Sequence, residues 1–191
     1  MKKNTGLLFA LTFSVVACNN EGKDSVEKAD SVNEAKLDSP AARPSIVTDE
    51  ESTSFLVNGA NAGMAEVQLG ELAQRKAMNQ QVKDFGSMIE HNHNVANDQV
   101  RALAVQRNVT LPATVGDEKR NEIDDLSRKS GADFDKAFLR AIVKGHNQAI
   151  DLFGKASDKV KDTEVKTFVD NTLPKLRNYL DSAKAIQKAL R

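Results

Sequence analysis

Three side chains of metal-binding type sit where helical periodicity turns them inward: Glu66, His93 and His146. Glu66 stands within an apolar stripe of Phe55, Gly59, Ala62, Leu69 and Ala73, spaced three and four apart. A lone carboxylate buried there is costly, so it must pair, protonate or bind something. A second stripe holds Val82, Phe85, Ile89, Ala96, Val100 and Leu103. At about 100° per residue, His93 falls roughly 65° from its centre, with Asn92 on the other side, while Glu90 and His91 point to solvent. His146 flanks a third stripe of Phe134, Phe138, Ala141, Ile142, Gly145, Ala149 and Leu152, and Tyr179 faces inward on a fourth. Two imidazoles and one carboxylate suit a single divalent ion, Fe, Zn or Mn, with coordination positions left open. The plainer chemistry is a core network in which the imidazoles donate to Glu66 and Tyr179 completes the set, with Asn92 in support. We take the network as the reading of the sequence and the mononuclear site as its rival.

Other chemistry is excluded more readily. A di-iron centre needs a Glu from each of two helices and a Glu-x-x-His from each of the other two. Glu90 and His93 have that spacing, but Glu90 points outward, and Ala149, Leu176 and Tyr179 stand where further ligands would be required. A copper site built from Met64, Met88 and His93 competes with the usual use of methionine as core filler. A single cysteine, Cys18, excludes a disulfide framework and any multi-cysteine metal cluster. No glycine-rich phosphate loop is present. Lys plus Arg and Asp plus Glu each number 27, and this balance argues against a nucleic-acid partner.

The elements that would position these side chains are all helices. Four long ones are expected, over residues 53–77, 79–107, 133–156 and from Asp162 or Thr163 to the end. A short amphipathic helix over residues 117–129 lies between the second and third and is closed by Gly131. Pro174 falls inside the last period, where it removes a donor and clashes with the carbonyl of Asp170, so one kinked helix is expected. A faint repeat at an offset of 83 matches Phe55 with Phe138, Leu69 with Leu152, Val82 with Val165 and Phe85 with Phe168. Two similar helical hairpins would pack as a four-helix bundle. The fold class is therefore all-α, an up-down four-helix bundle over residues 52–191 with one short extra helix.

The N-terminus reads as an address. Lys2 and Lys3 precede a short apolar run from Leu7 to Val16, the pattern of a secretory signal over residues 1–17. The run ends in Val15-Val16-Ala17-Cys18, which resembles the bacterial lipobox, where the cysteine becomes the lipidated first residue. More than one acyl chain gives stable anchoring. Asn19 follows in place of an Asp, which leaves the outer membrane as the expected destination. Residues 18–51 are polar, interrupted by Pro40 and Pro44, and read as a disordered tether; a helix from Asp24 to Leu37 is the alternative, with a weak apolar stripe.

Several of these stretches together resemble one bacterial envelope family. They are Phe55-Leu56, Gly63-Met64-Ala65-Glu66-Val67 with Leu69-Gly70, and Phe85-Gly86 with Met88, Asn92-His93 and Ala96-Asn97. The third helix contributes Phe134 to Phe138, His146 and Ala149 to Phe153, and the fourth contributes Leu173-Pro174, Leu176, Leu180 and Ala183-Lys184. Members are known as predicted outer-membrane proteins of unknown function, and the resemblance implies a ferritin-like four-helix fold. Two positions depart from the pattern: Asn92 replaces the usual Asp and Tyr179 the usual His. The expectation is a membrane-anchored envelope lipoprotein serving as a non-catalytic binding or envelope-maintenance module of unknown ligand. Its rival is a metal-binding protein or metal-dependent oxidoreductase using Glu66, His93 and His146.

Overall fold

Asp49, Asn79 and Asp162 each open a long helix by accepting from backbone N–H groups that the first turn leaves unpaired. In the computed structural model, which describes residues 22–38 and 48–190, there are six helices and no strand among the described residues. They are α1 (Ser25–Asp38), α2 (Glu50–Lys76), α3 (Gln80–Gln106), α4 (Asp117–Ser127), α5 (Gly131–Lys159) and α6 (Thr163–Ala189). α2 packs on α3 and α5, and α6 packs on α5 and α3, so four helices close a ring with α2 opposite α6. None of the described helices is long and apolar enough to cross a membrane. The leader, Cys18 and Asn19 lie outside the described residues.

The long helices follow the expected spans with small shifts. α2 begins three residues early because the Asp49 carboxylate caps it, accepting from the Ser52 amide at 3.0 Å and the Ser52 hydroxyl at 2.6 Å. α6 runs unbroken through Pro174, whose side chain lies on the exposed face. Gly131 has φ +58, the left-handed conformation that glycine adopts without a Cβ clash; it opens α5, while α4 is closed earlier, at Arg128, and not by Gly131 as expected.

The polar segment read as a tether is corrected in part. It contains α1, the alternative weighed above, and α1 is docked. Asn33 is buried and exchanges two hydrogen bonds with the backbone of Thr110, at 2.9 and 2.8 Å. Lys36 donates to the carbonyl of Asn108 at 2.8 Å and to the Thr110 hydroxyl at 2.7 Å. Asp24 accepts from the Asp117 amide at the start of α4, at 3.2 Å. The attachment is made by hydrogen bonds around one buried alanine, Ala29, which is why an apolar stripe does not announce it.

Two carboxylates tie the bundle's ends. Asp135 on α5 is buried and accepts from the amides of Met78 and Asn79 in the α2–α3 turn, at 3.0 and 2.9 Å. Asp162 caps α6 and also receives a bidentate pair from buried Arg107 at the end of α3, at 2.8 and 2.6 Å. Such planar pairing is among the stronger hydrogen-bonded contacts.

Between these ends, α2 and α3 cross at two glycines. A Cβ on Gly70 would stand 2.6 Å from the Gly86 carbonyl oxygen, and one on Gly86 would stand 2.6 Å from the Ala73 Cβ. The helices therefore lie closer than any larger residue would allow, and their relative register is fixed. Glu66 is one turn before Gly70 and His93 two turns after Gly86, so this crossing sets both heights in the bundle. The core is split into two apolar clusters. One is built around Phe85, Phe134, Phe138 and Ile142, the other around Phe55, Phe153, Phe168 and Leu176. Glu66, His93 and His146 fall between them in sequence on their helices, and Tyr179 packs against both clusters.

Candidate functional site

Each of the four long helices delivers one polar side chain to this middle layer. Glu66 comes from α2, His93 from α3, His146 from α5 and Tyr179 from α6. Glu66 is 6% exposed, His93 8% and His146 fully buried. The two imidazoles meet edge to face with ring centroids 5.6 Å apart, and the Tyr179 ring lies 6.3 Å from His93 and 5.9 Å from His146. Each of Glu66, His93 and His146 offers one ligand atom within 4.8 Å of the other two. The three residues singled out from the sequence are thus brought together.

The expected network is not completed. His146 Nδ1 is 3.4 Å from Glu66 Oε1 and 3.2 Å from the Ile142 carbonyl oxygen, to which it donates. Beyond that, Glu66 Oε2, His93 Nε2 and His146 Nε2 are buried without a hydrogen-bond partner. The Tyr179 hydroxyl meets none of these three atoms, so it does not play the part expected of it. Asn92 lines the cavity beside His93 but satisfies none of them either. Buried polar atoms are nearly always paired, so three orphans in one cluster are exceptional. The Ile142 contact places a proton on Nδ1 of a neutral His146 ring and leaves Nε2 as the lone-pair nitrogen, the usual arrangement for a metal-binding histidine.

Electrostatics couples the three groups. Burial works against the charged form of Glu66, but His146 through charge and hydrogen bond, then His93 and Lys119, outweigh it and hold the carboxyl below its usual range. Burial likewise opposes a charge on His146, and Glu66 overcomes it, so that imidazole is pushed up. His93 goes the other way: burial dominates, with Glu66 opposing and His146 adding to it, and its pKa drops to about 4. His93 is therefore a neutral imidazole at ordinary pH.

Two further features escaped the sequence. Gly145 faces the carboxylate so closely that a Cβ there would stand 2.5 Å from Glu66 Oε1. Gly63 makes similar room for Asn97, which is buried one turn past His93. In the sequence Gly145 read only as a small inward residue, and Gly63 only as part of the stretch that carries the family resemblance. Of the copper set considered above, Met64 lines a cavity with Glu71 and Arg101 that His93 does not reach, and Met88 packs against the apolar cluster around Phe138. Glu90, expected in solvent, is half-buried and accepts from the Gln74 amide.

An all-helical bundle carrying two imidazoles and one carboxylate at mid-height is the class of protein these observations define. The chain belongs to the family described as Domain of unknown function (DUF4142), whose profile matches residues 36–186. Among solved structures it is similar to a DUF305 fragment from Deinococcus radiodurans, with a TM-score of 0.68 at 12% identity, covering 75% of this chain and 99% of that one. It is also similar to CopM in the Cu(II)-bound form, with a TM-score of 0.64 at 15% identity, covering 73% of this chain and 97% of that one. At such identities the likeness shows a shared fold. A comparison with curated proteins gave no match.

Proposed function

We propose that this domain binds one divalent transition-metal ion through Glu66, His93 and His146, and that it does so as a ferritin-like, up-down four-helix module held at a bacterial envelope membrane by lipid on Cys18. The observation that carries the metal reading is the cluster of orphaned buried atoms, Glu66 Oε2, His93 Nε2 and His146 Nε2. A hydrogen-bonded network, favoured from the sequence, would have satisfied them; one ion with three ligands does so directly. The donor set suits Fe(II), Zn(II) and Mn(II), and the Cu(II) carried by CopM adds copper to the ions worth testing. Among these, affinity in vitro should be greatest for Cu(II).

The test is stoichiometry. After chelation, the purified chain should take up one Cu(II) or Zn(II) per molecule in equilibrium dialysis. His93→Ala and Glu66→Gln should each lose that tight site. Uptake of no metal, or equal uptake by both variants, would sink the proposal.

The anchor is tested separately. With Cys18→Ser, precursor should accumulate unprocessed, or the product should lack lipid and leave the membrane fraction. Unchanged mobility and detergent partitioning would show that Cys18 carries no lipid.

A further inference from the structure

Two of the three ligands open onto one cavity. Glu66 and His93 both line a space of about 110 Å³ between the four long helices, whose walls do not include His146. A second cavity of about 370 Å³, between α2, α4 and α5, reaches Glu66 past Gly145 but neither imidazole. An ion held by all three residues would therefore present its free positions to the first cavity.

Charge decides what should occupy it. A divalent ion with one carboxylate and two neutral imidazoles leaves one uncompensated positive charge inside the bundle, which is costly. Glu66 is the one acidic side chain lining this cavity, and a lysine, Lys175, also lines it. The missing negative charge is thus not supplied by the walls. Asn92, Asn97 and Tyr179 bring groups that donate hydrogen bonds, while Val100, Phe153 and Phe168 make the rest of the lining apolar. One water needs roughly 10–15 Å³ of such space, so the cavity has room for a small ligand of several atoms. By contrast, the larger cavity already carries Glu118 and Glu122.

We propose that the bound metal ion takes a small monovalent anion, of hydroxide to azide size, as an additional ligand in the cavity that Glu66 and His93 line. This inference rests on the metal site proposed above. The probe is azide, titrated into the Cu(II)-loaded full chain and followed by the azide-to-copper charge-transfer band. Wild type should develop a saturable band. Thr172→Leu fills the cavity from α6 and Ala96→Leu from α3, so a folding defect in one variant leaves the other to be read. Each should keep one Cu(II) per chain while azide affinity falls at least tenfold. A copper-loaded wild type with no band at saturating azide would overturn the anion site and leave the metal site standing. Undiminished azide affinity in both filled variants would place the open positions elsewhere and overturn it equally. Failure to take up copper removes the metal reading first, and the anion with it.

Discussion

Saturating Cu(II) or Zn(II) should raise the melting temperature of the wild-type chain by several degrees and leave Glu66→Gln unmoved. A ligand bound by the folded state alone stabilises it by about 2.7 kcal/mol at a hundred times its dissociation constant. For a domain of this size about 1 kcal/mol corresponds to roughly 2–4 °C, so a rise of roughly 5–10 °C is expected. The increment should also depend on pH. In the metal-free protein Glu66 lifts the pKa of His146, so the proton on that ring contributes stability below the unfolded value, about 6.5, and the contribution is lost as pH rises through the folded value. Metal competes with that proton, and the rise on loading should be greater at pH 8 than at pH 6. His93, with its pKa near 4, is already neutral over this range and adds no competition there. Scanning calorimetry with and without chelator reads both effects. No metal-dependent rise at either pH, or the same rise in Glu66→Gln, would return the cluster to a purely structural role.

Why the sequence placed these residues on inner faces yet did not foresee the unpaired atoms among them is a matter of what periodicity encodes. The 3.6-residue stripe fixes which Cβ atoms face inward, so Glu66, His93, His146 and Tyr179 could be placed on inner faces one by one. It does not fix side-chain torsions, and those decide whether an imidazole nitrogen meets an oxygen or is left open. The same limit hid the contacts at helix ends. Asp135 and Arg107 are charged residues near termini, indistinguishable in pattern from solvated ones, yet both are buried and tie one helix to the next. α1 was legible only as an alternative, because Asn33 and Lys36 attach it through hydrogen bonds to the loop after α3. The repeat illustrates the division well. Phe55 and Phe138, Val82 and Val165, and Phe85 and Phe168 are all buried in corresponding places. The polar set breaks the correspondence, since Ala149 matches Glu66, Leu176 matches His93 and Gly63 matches His146. Whatever the origin of the two hairpins, the site belongs to one arrangement of them and not to the repeat.

Gly145→Ala should cost the site about two decades of metal affinity while barely changing the stability of the metal-free chain. In a helix interior this substitution ordinarily stabilises by about 1 kcal/mol, because glycine loses more backbone freedom on folding. At this position the new methyl would stand 2.5 Å from Glu66 Oε1, so the carboxylate must swing away. Glu66 is enclosed, and moving it gives up its contact with His146, which offsets the gain in propensity. Ligand geometry tolerates little displacement, on the order of 0.5 Å, and losses of 10–100-fold are typical when a supporting contact is removed. The internal control is on the same helix. Gly154 would place a methyl in open space, with nothing within 4 Å, so Gly154→Ala should show the ordinary stabilisation and leave metal affinity untouched. Isothermal titration with Zn(II) and thermal unfolding of the two variants separate the effects. If both alanines behave alike, with stability gained and affinity kept, then the space opposite Glu66 does not hold the carboxylate in its binding position. If Gly145→Ala alone loses metal, the glycine is there because the carboxylate needs its room, and the close approach of α5 to α2 is part of how the bundle builds its site.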